Sequence, residues 1–293
     1  MSNPGFVHLH CHSEYSLLDG ACRIPDLVAE TRTHELDALA LTDHGVLFGA
    51  IEFYRTAISS GIKPILGCEV YVAPGDRRER RAQGGEVAYH LILLARDTTG
   101  YKNLMKLSSA GFLDGFYYRP RVDKALLRDH SEGLIAASAC LQGEIAVHNV
   151  AGRTEEAKKA ALEYQDIFGE GNFYLEVQNH EIEAELRNID AMISLSRELD
   201  IPLIASNDIH FMKPEHAESH EVLLCVQTGK TLNDVDRMTS NPNLYYRSPA
   251  EMAELFAGVP EALANTTEIA RRCNLLLEFD QMHLPRYPLP ARF

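Results

Sequence analysis

At 293 residues and 45% hydrophobic content, the chain can bury a substantial core as one large domain or two smaller ones. Its net charge of −14 excludes a surface that holds nucleic acid all over, because phosphate contacts need Lys and Arg, and leaves room only for a local basic face. No apolar run approaches the roughly 18–20 residues that span a bilayer, and the N-terminus lacks the basic and apolar regions of a signal peptide. The six cysteines (Cys11, Cys22, Cys68, Cys140, Cys225 and Cys273) form no CxxC pair, so a cytoplasmic protein with reduced thiols and no membrane partner is expected.

Short apolar runs alternate with amphipathic stretches, the pattern of an α/β sheet whose strands are joined by crossover helices. In chain order the expected strands are Phe6 to Cys11, Ala38 to Thr42, Ile65 to Val72, Tyr89 to Ala95, Gly133 to Ala139, Phe173 to Gln178 and Leu203 to Asn207. Helical periodicity falls between them at Ile24 to His34, Ala50 to Ser60, Tyr101 to Ala110, Thr154 to Phe168 and Ala184 to Leu199. Seven such units fit a closed or nearly closed barrel better than an open sheet. The stretch Pro74 to Glu86, with Arg77, Arg78, Arg80 and Arg81, reads as an exposed loop, a solvated connection ahead of the alternative of a DNA backbone contact. From about residue 214 the pattern is helical, around Pro249 to Phe256 and Glu261 to Cys273, and Leu284 to Phe293 reads as a truncated linker. Residues 1–283 are therefore expected to form one domain.

In Val7-His8-Leu9-His10-Cys11-His12 the histidines occupy every second position, so an extended strand would aim all three at one face. Three imidazoles in a plain core would each need partners for the ring nitrogens, and metal ligation supplies them. Leu39 to Thr42 is an apolar strand that ends in Asp43-His44-Gly45. Glu69 lies within the apolar run Ile65-Leu66-Gly67-Cys68-Glu69, where an unpaired charge would be costly, and Asp208 and His210 close the run from Ile204. Single motifs of this kind are as easily polar turns; in a parallel barrel all strand C-termini share one face, so four of them converge. Asp19, His90 and Cys140 carry little weight on spacing alone.

With these residues in place the sequence resembles the polymerase and histidinol phosphatase (PHP) family, and within it the N-terminal domains of bacterial DNA polymerase III alpha subunits, over essentially its whole length. The family motifs are Leu9-His10-Cys11-His12-Ser13 with Tyr15 to Gly20, Thr42-Asp43-His44-Gly45, Gly67-Cys68-Glu69 and Asn207-Asp208-Ile209-His210. The replicative branch is marked by His90 to Ala95, Gly100 to Leu104, Gly115 to Asp123 and Asn265 to Cys273.

The resemblance implies a distorted (β/α)7 barrel with its site at the strand C-terminal face. It also implies a nine-residue metal set: His10, His12, Asp19, His44, Glu69, His90, Cys140, Asp208 and His210. The division it suggests places His10, His12 and Asp208 on one ion, His90 and Cys140 on a second bridged by Glu69, and Asp19, His44 and His210 on a third. His8 is expected behind the ligands. Three divalent ions are implied, drawn from Zn, Mn or Fe.

Hydroxide formed on these ions would attack a phosphodiester in line, with Asp19, His44, Glu69 and His210 as the catalytic ligands. Arg119 and Arg121 are the candidates for phosphate contact. The implied reaction is 3′ to 5′ exonuclease proofreading. Its implied partners are a DNA primer 3′ end, the remaining domains of the polymerase alpha chain and other replicase subunits, with the isolated domain monomeric. Two other readings share the metal site: a metal-stabilised docking platform without catalysis, and a freestanding phosphatase of small phosphomonoesters.

Overall fold

A computed structural model describes residues 5–80, 87–282 and 284–285. In chain order its first elements are α1 (Ile24–Thr33), β1 (Ala38–Leu41), α2 (Ala50–Ser59), β2 (Lys63–Val72), β3 (Tyr89–Ala95) and α3 (Thr98–Leu113). A short hairpin of β4 (Phe116–Tyr117) and β5 (Arg119–Val122) follows, then α4 (Lys124–Asp129), β6 (Leu134–Ala137), α5 (Glu144–Val150) and α6 (Thr154–Phe168). The rest is β7 (Phe173–Gln178), α7 (Glu183–Leu199), β8 (Leu203–Ser206), α8 (Ala217–Thr228), α9 (Pro249–Leu255) and α10 (Pro260–Arg272).

The strands build a distorted seven-membered barrel. β1 pairs with β2, β2 with β3, β3 with β6, β6 with β7 and β7 with β8. Residues 7–12 close the ring: Ala40 N donates to His8 O at 3.0 Å on one side, and Ile209 N donates to His10 O at 3.2 Å on the other. Val7, Leu9, Ala38, Ala40, Ile65, Ile92, Leu94, Ile135, Ala137 and Ile204 pack together inside it. The far end is plugged by α10, whose Ile269, Ala270 and Cys273 join that cluster. Its ties go to strand beginnings: Val7 N to Thr266 Oγ1 (2.9 Å), Lys63 Nζ to Ala270 O (2.6 Å) and Asn265 Nδ2 to Leu203 O (2.8 Å).

Two departures from a regular parallel barrel shape the site. First, β3 runs antiparallel to both β2 and β6. Its N-terminal end therefore lies at the C-terminal end of its neighbours, which brings His90 to the same rim as residues that end strands. The expectation of an all-parallel barrel is corrected here. Second, residues 7–12 carry one extra residue against β1, since Ala40 N donates to His8 O while Thr42 N donates to Cys11 O. Such a bulge reverses which side chains face inward. Val7 and Leu9 point into the barrel before it, whereas after it Cys11 packs on the α1 and α2 side and His10 and His12 face the site.

The expected helices are present, with α3 starting earlier because Asp97 caps it by accepting from Gly100 N at 2.9 Å. The hairpin and the short helices α4 and α5 were not anticipated. Within the expected exposed loop, Arg77 is buried and bonded to Asp123 at 3.0 Å, while Arg78 and Arg80 are exposed; Arg81 lies outside the described residues, as does the expected linker from residue 286.

His44 leaves β1 through Gly45, at φ 67°, where a Cβ would sit 2.7 Å from Pro120 Cγ. Gly45→Ala is expected to cost about 1–2 kcal/mol from left-handed strain alone, lowering the melting temperature by several degrees in calorimetry. An unchanged melting curve would contradict this account of the turn.

Candidate metal centre

The nine expected residues gather at one rim of the barrel. Residues 10 and 12 follow the bulge, His44 follows β1, Glu69 lies within β2, His90 begins β3, Cys140 follows β6, and Asp208 and His210 follow β8. The exits are sharply bent: Ala139, just before Cys140, has φ 62° and Asp208 has φ 46°. Asp19 sits in a tight loop, with Asp19 N and Gly20 N both donating to Ser16 O and Ala21 N donating to His210 O. A Cβ on Gly20 would lie 1.9 Å from Ser13 O, so only glycine allows the loop to fold this closely.

Glu69 is fully buried and lies at the centre. Its Oε1 is 2.8 Å from His90 Nδ1, 3.6 Å from His10 Nε2 and 4.0 Å from Cys140 Sγ. Its Oε2 is 2.5 Å from His44 Nδ1 and 3.4 Å from His12 Nε2. Beside it, His10 Nε2, His12 Nε2 and Asp208 Oδ1 form a triangle with every side 3.1 Å. Asp19 closes the other flank, 3.3 Å from His44 Nε2 and 3.7 Å from His210 Nε2.

These atoms fit cations better than one another. Asp19 Oδ1, His44 Nδ1, Glu69 Oε2 and Asp208 Oδ1 are buried without a hydrogen-bond partner, although other ligand atoms crowd them. Donors about 2.0–2.2 Å from a tetrahedral ion stand roughly 3.3–3.6 Å apart, close to the sides of the His10, His12, Asp208 triangle. Among the described residues, compact groups able to hold an ion are His10/His12/Asp208, His44/Glu69/His90 and His12/His44/His210. The first coincides with the expected division; the others place His44 between Glu69 and His210.

Burial would push His10 and His44 down, but carboxylates outweigh it and hold both well above the usual histidine range: Asp208, Glu176 and Glu69 for His10, Glu69 and Asp19 for His44. Burial, with His44 and His210 nearby, drops His12 to about 3. Glu69, Asp208 and Asp19 are buried too, which alone would raise them, yet the imidazoles keep all three below the carboxylate range. Burial, reinforced by Glu69, pushes the Cys140 thiol well up, so it becomes a good ligand only when a metal displaces its proton.

Sequence reasoning missed the residues that aim these ligands. Glu176 of β7 accepts from His10 Nδ1 at 2.7 Å, from Gln178 Nε2 at 3.0 Å and from Ser206 Oγ, which turns His10 Nε2 inward. His12 Nδ1 lies 3.1 Å from Ser16 Oγ, which donates to Asp43 at 2.9 Å. His180 bridges Glu185 Oε1 (2.8 Å) and Asn207 O (2.9 Å), bracing the turn that carries Asp208.

His8 does not join its two neighbours. Placed before the bulge, it packs between Phe6 and Tyr246 and meets Arg247 O at 2.9 Å, corrected from the expected place behind the ligands. Arg121 is also corrected: it is buried, and its guanidinium donates to the carbonyls of Gly115, Val87, Arg77 and Glu79, which holds it inside the fold and away from any phosphate in the cleft. Arg119 does line the cleft over the centre, about 100 Å³, together with Leu18, Tyr71, Gln142 and Met238. A larger cleft of about 620 Å³ beside Arg78 and Lys159 holds no convergent ligand group among the described residues.

A profile described as the PHP domain matches residues 8–180, and the chain belongs to that family. It is similar to the DNA polymerase III subunit alpha of Borreliella burgdorferi (45% identity over 98% of this chain) and to that of Helicobacter pylori (46% over 99%). In each case it spans 25% of the relative's length. A two-domain protein from Bacteroides vulgatus containing a predicted PHP-like metal-dependent phosphoesterase shows a loose likeness, at 17% identity and TM-score 0.44 over 89% of this chain and 63% of that one. No helix among the described residues is long and apolar enough to cross a membrane.

Arg121→Ala is expected to lower stability by about 1–3 kcal/mol or more, since it strands buried carbonyls, while Arg119→Ala leaves the melting temperature nearly unchanged. Equal melting temperatures for the two variants would contradict these assignments. Glu176→Gln, which loses the charge behind His10, is expected to weaken Mn²⁺ affinity by about 10–100-fold in calorimetric titration. Unchanged affinity would remove Glu176 from the site.

Proposed function

We propose that this chain is the PHP domain of a replicative DNA polymerase III alpha subunit and removes nucleotides from a DNA 3′ end in the 3′ to 5′ direction. The observation that carries the reading is the triangle of His10, His12 and Asp208 beside a buried, unsatisfied Glu69, with all nine family positions holding residues able to bind metal. Likeness to the alpha subunits across nearly the whole chain supports the replicative setting, with the rest of the alpha chain and the other replicase subunits as partners.

Three divalent ions, from Zn, Mn or Fe, would be held by the nine ligands, with Glu69 shared between them. Such ions lower the pKa of water toward neutrality and offset charge on phosphoryl oxygens. The protein's own groups do the rest. Glu176 and the Asp43–Ser16 pair fix the tautomers of His10 and His12, and His210 Nδ1 faces Asp208 O at 2.8 Å, which directs its Nε2 toward Asp19. Arg119 supplies positive charge at the mouth, stacked 5.6 Å over the Tyr71 ring.

The chain with Mn²⁺ is expected to shorten a 5′-labelled primer with a mismatched 3′ end. Asp19→Asn and His44→Ala should each slow this by about 100-fold or more while the fold is retained. Efficient release of phosphate from small phosphomonoesters with the primer untouched would replace this reading by a metabolite phosphatase. Loss of ions and stability in both variants, with no turnover in the parent, would replace it by a structural platform. Shortening that survived chelation and both substitutions would sink it.

A further inference from the structure

We infer that the β4–β5 hairpin presents a stacking platform for an unpaired nucleobase, with Tyr118 as its principal contact; this rests on the nuclease reading above. The hairpin register pairs Tyr117 with Arg119 and Phe116 with Pro120, which leaves Tyr118 alone at the tip. Tyr118 is 74% exposed and held at φ 59°, a conformation that side chains other than Gly, Asn and Asp seldom adopt. Phe116 and Phe112 are also exposed, with their rings stacked at 6.2 Å. Together with Tyr117, Tyr118 and Arg80 they line a cleft of about 330 Å³.

The platform is anchored at its base and leads, through Arg119, toward the cleft over the metal ligands. Arg121 ties the hairpin base to Gly115 O at 3.1 Å and lies 5.0 Å from the Tyr117 ring centre. The next residue after Tyr118 is Arg119, whose side chain lines the cleft over the metal ligands. A strand whose phosphate met Arg119 would run past the hairpin tip, where Tyr118 is the preceding residue. Aromatic faces accept any base by stacking, and Arg80 at the rim offers positive charge to a backbone in a chain that is otherwise strongly acidic. A single-stranded nucleic acid is the occupant that uses both halves of this arrangement; an apolar protein segment would use the rings and leave Arg119 idle.

The test compares two 5′-fluorescent single strands by anisotropy in Mn²⁺, both with phosphorothioate links at the 3′ end, one intact and one abasic at its last two positions. The parent chain is expected to bind the intact strand about tenfold more tightly than the abasic one, a ratio matching one stacked base. Tyr118→Ala should bring that ratio close to one, and Tyr118→Phe should preserve it. A ratio unchanged in Tyr118→Ala, or no measurable binding of either strand by the parent, overturns the inference and leaves the aromatic surface to a protein partner. Failure of the parent to shorten an ordinary 3′ end would sink the nuclease reading while leaving this ratio to be read independently.

Discussion

A single carboxylate, Glu69, is buried in the middle of an apolar strand with no conventional hydrogen-bond partner for one of its oxygens. An isolated charge in such a place would cost many kcal/mol or take up a proton. The chain instead surrounds it with His10, His12, His44, His90 and Cys140, and sets Asp208, Asp19 and His210 one contact further out. Without a cation several buried ligand atoms are left without a hydrogen-bond partner. With cations the same distances become coordination. The barrel can be understood as the scaffold that holds this arrangement in place, plugged below by α10 and open above.

The scaffold's irregularities are where the site gets its geometry. A regular parallel barrel would leave His90 at the wrong end of its strand and would send His10 and His12 to opposite sides from their observed places. Reversal of β3 corrects the first, and the extra residue at 8–11 corrects the second. Left-handed turns at Gly45, Ala139 and Asp208 then bend three chain exits inward. The left-handed backbone at Ala139 and Asp208 costs about 1 kcal/mol or more at each, consistent with strain concentrated where the chemistry is.

Much of this was legible beforehand because long apolar runs and amphipathic stretches report strands and helices directly, and the barrel follows from their number. The polar residues that end or interrupt those runs, His44, Glu69, Asp208 and His210, announce themselves by being costly where they are. Asp19, His90 and Cys140 lacked that signal and rested on family resemblance. Glu176 did not lack it: it interrupts Phe173 to Gln178 just as Glu69 interrupts β2, and the same reasoning would have found it. The bulge that diverts His8 depends on pairing between distant segments, and local pattern contains no trace of it. The hairpin around Pro120 is likewise held by the buried Arg121 guanidinium, so its polar sequence reads as a loop until the tertiary contacts are known.

The account stands on metal at Glu69, and elemental analysis tests that most directly. The chain purified without chelator or added metal is expected to carry more than one divalent ion per molecule, with the content falling sharply in Glu69→Gln. A metal-free parent that also takes up no Zn, Mn or Fe on dialysis, or a Glu69→Gln variant with undiminished content, would contradict it.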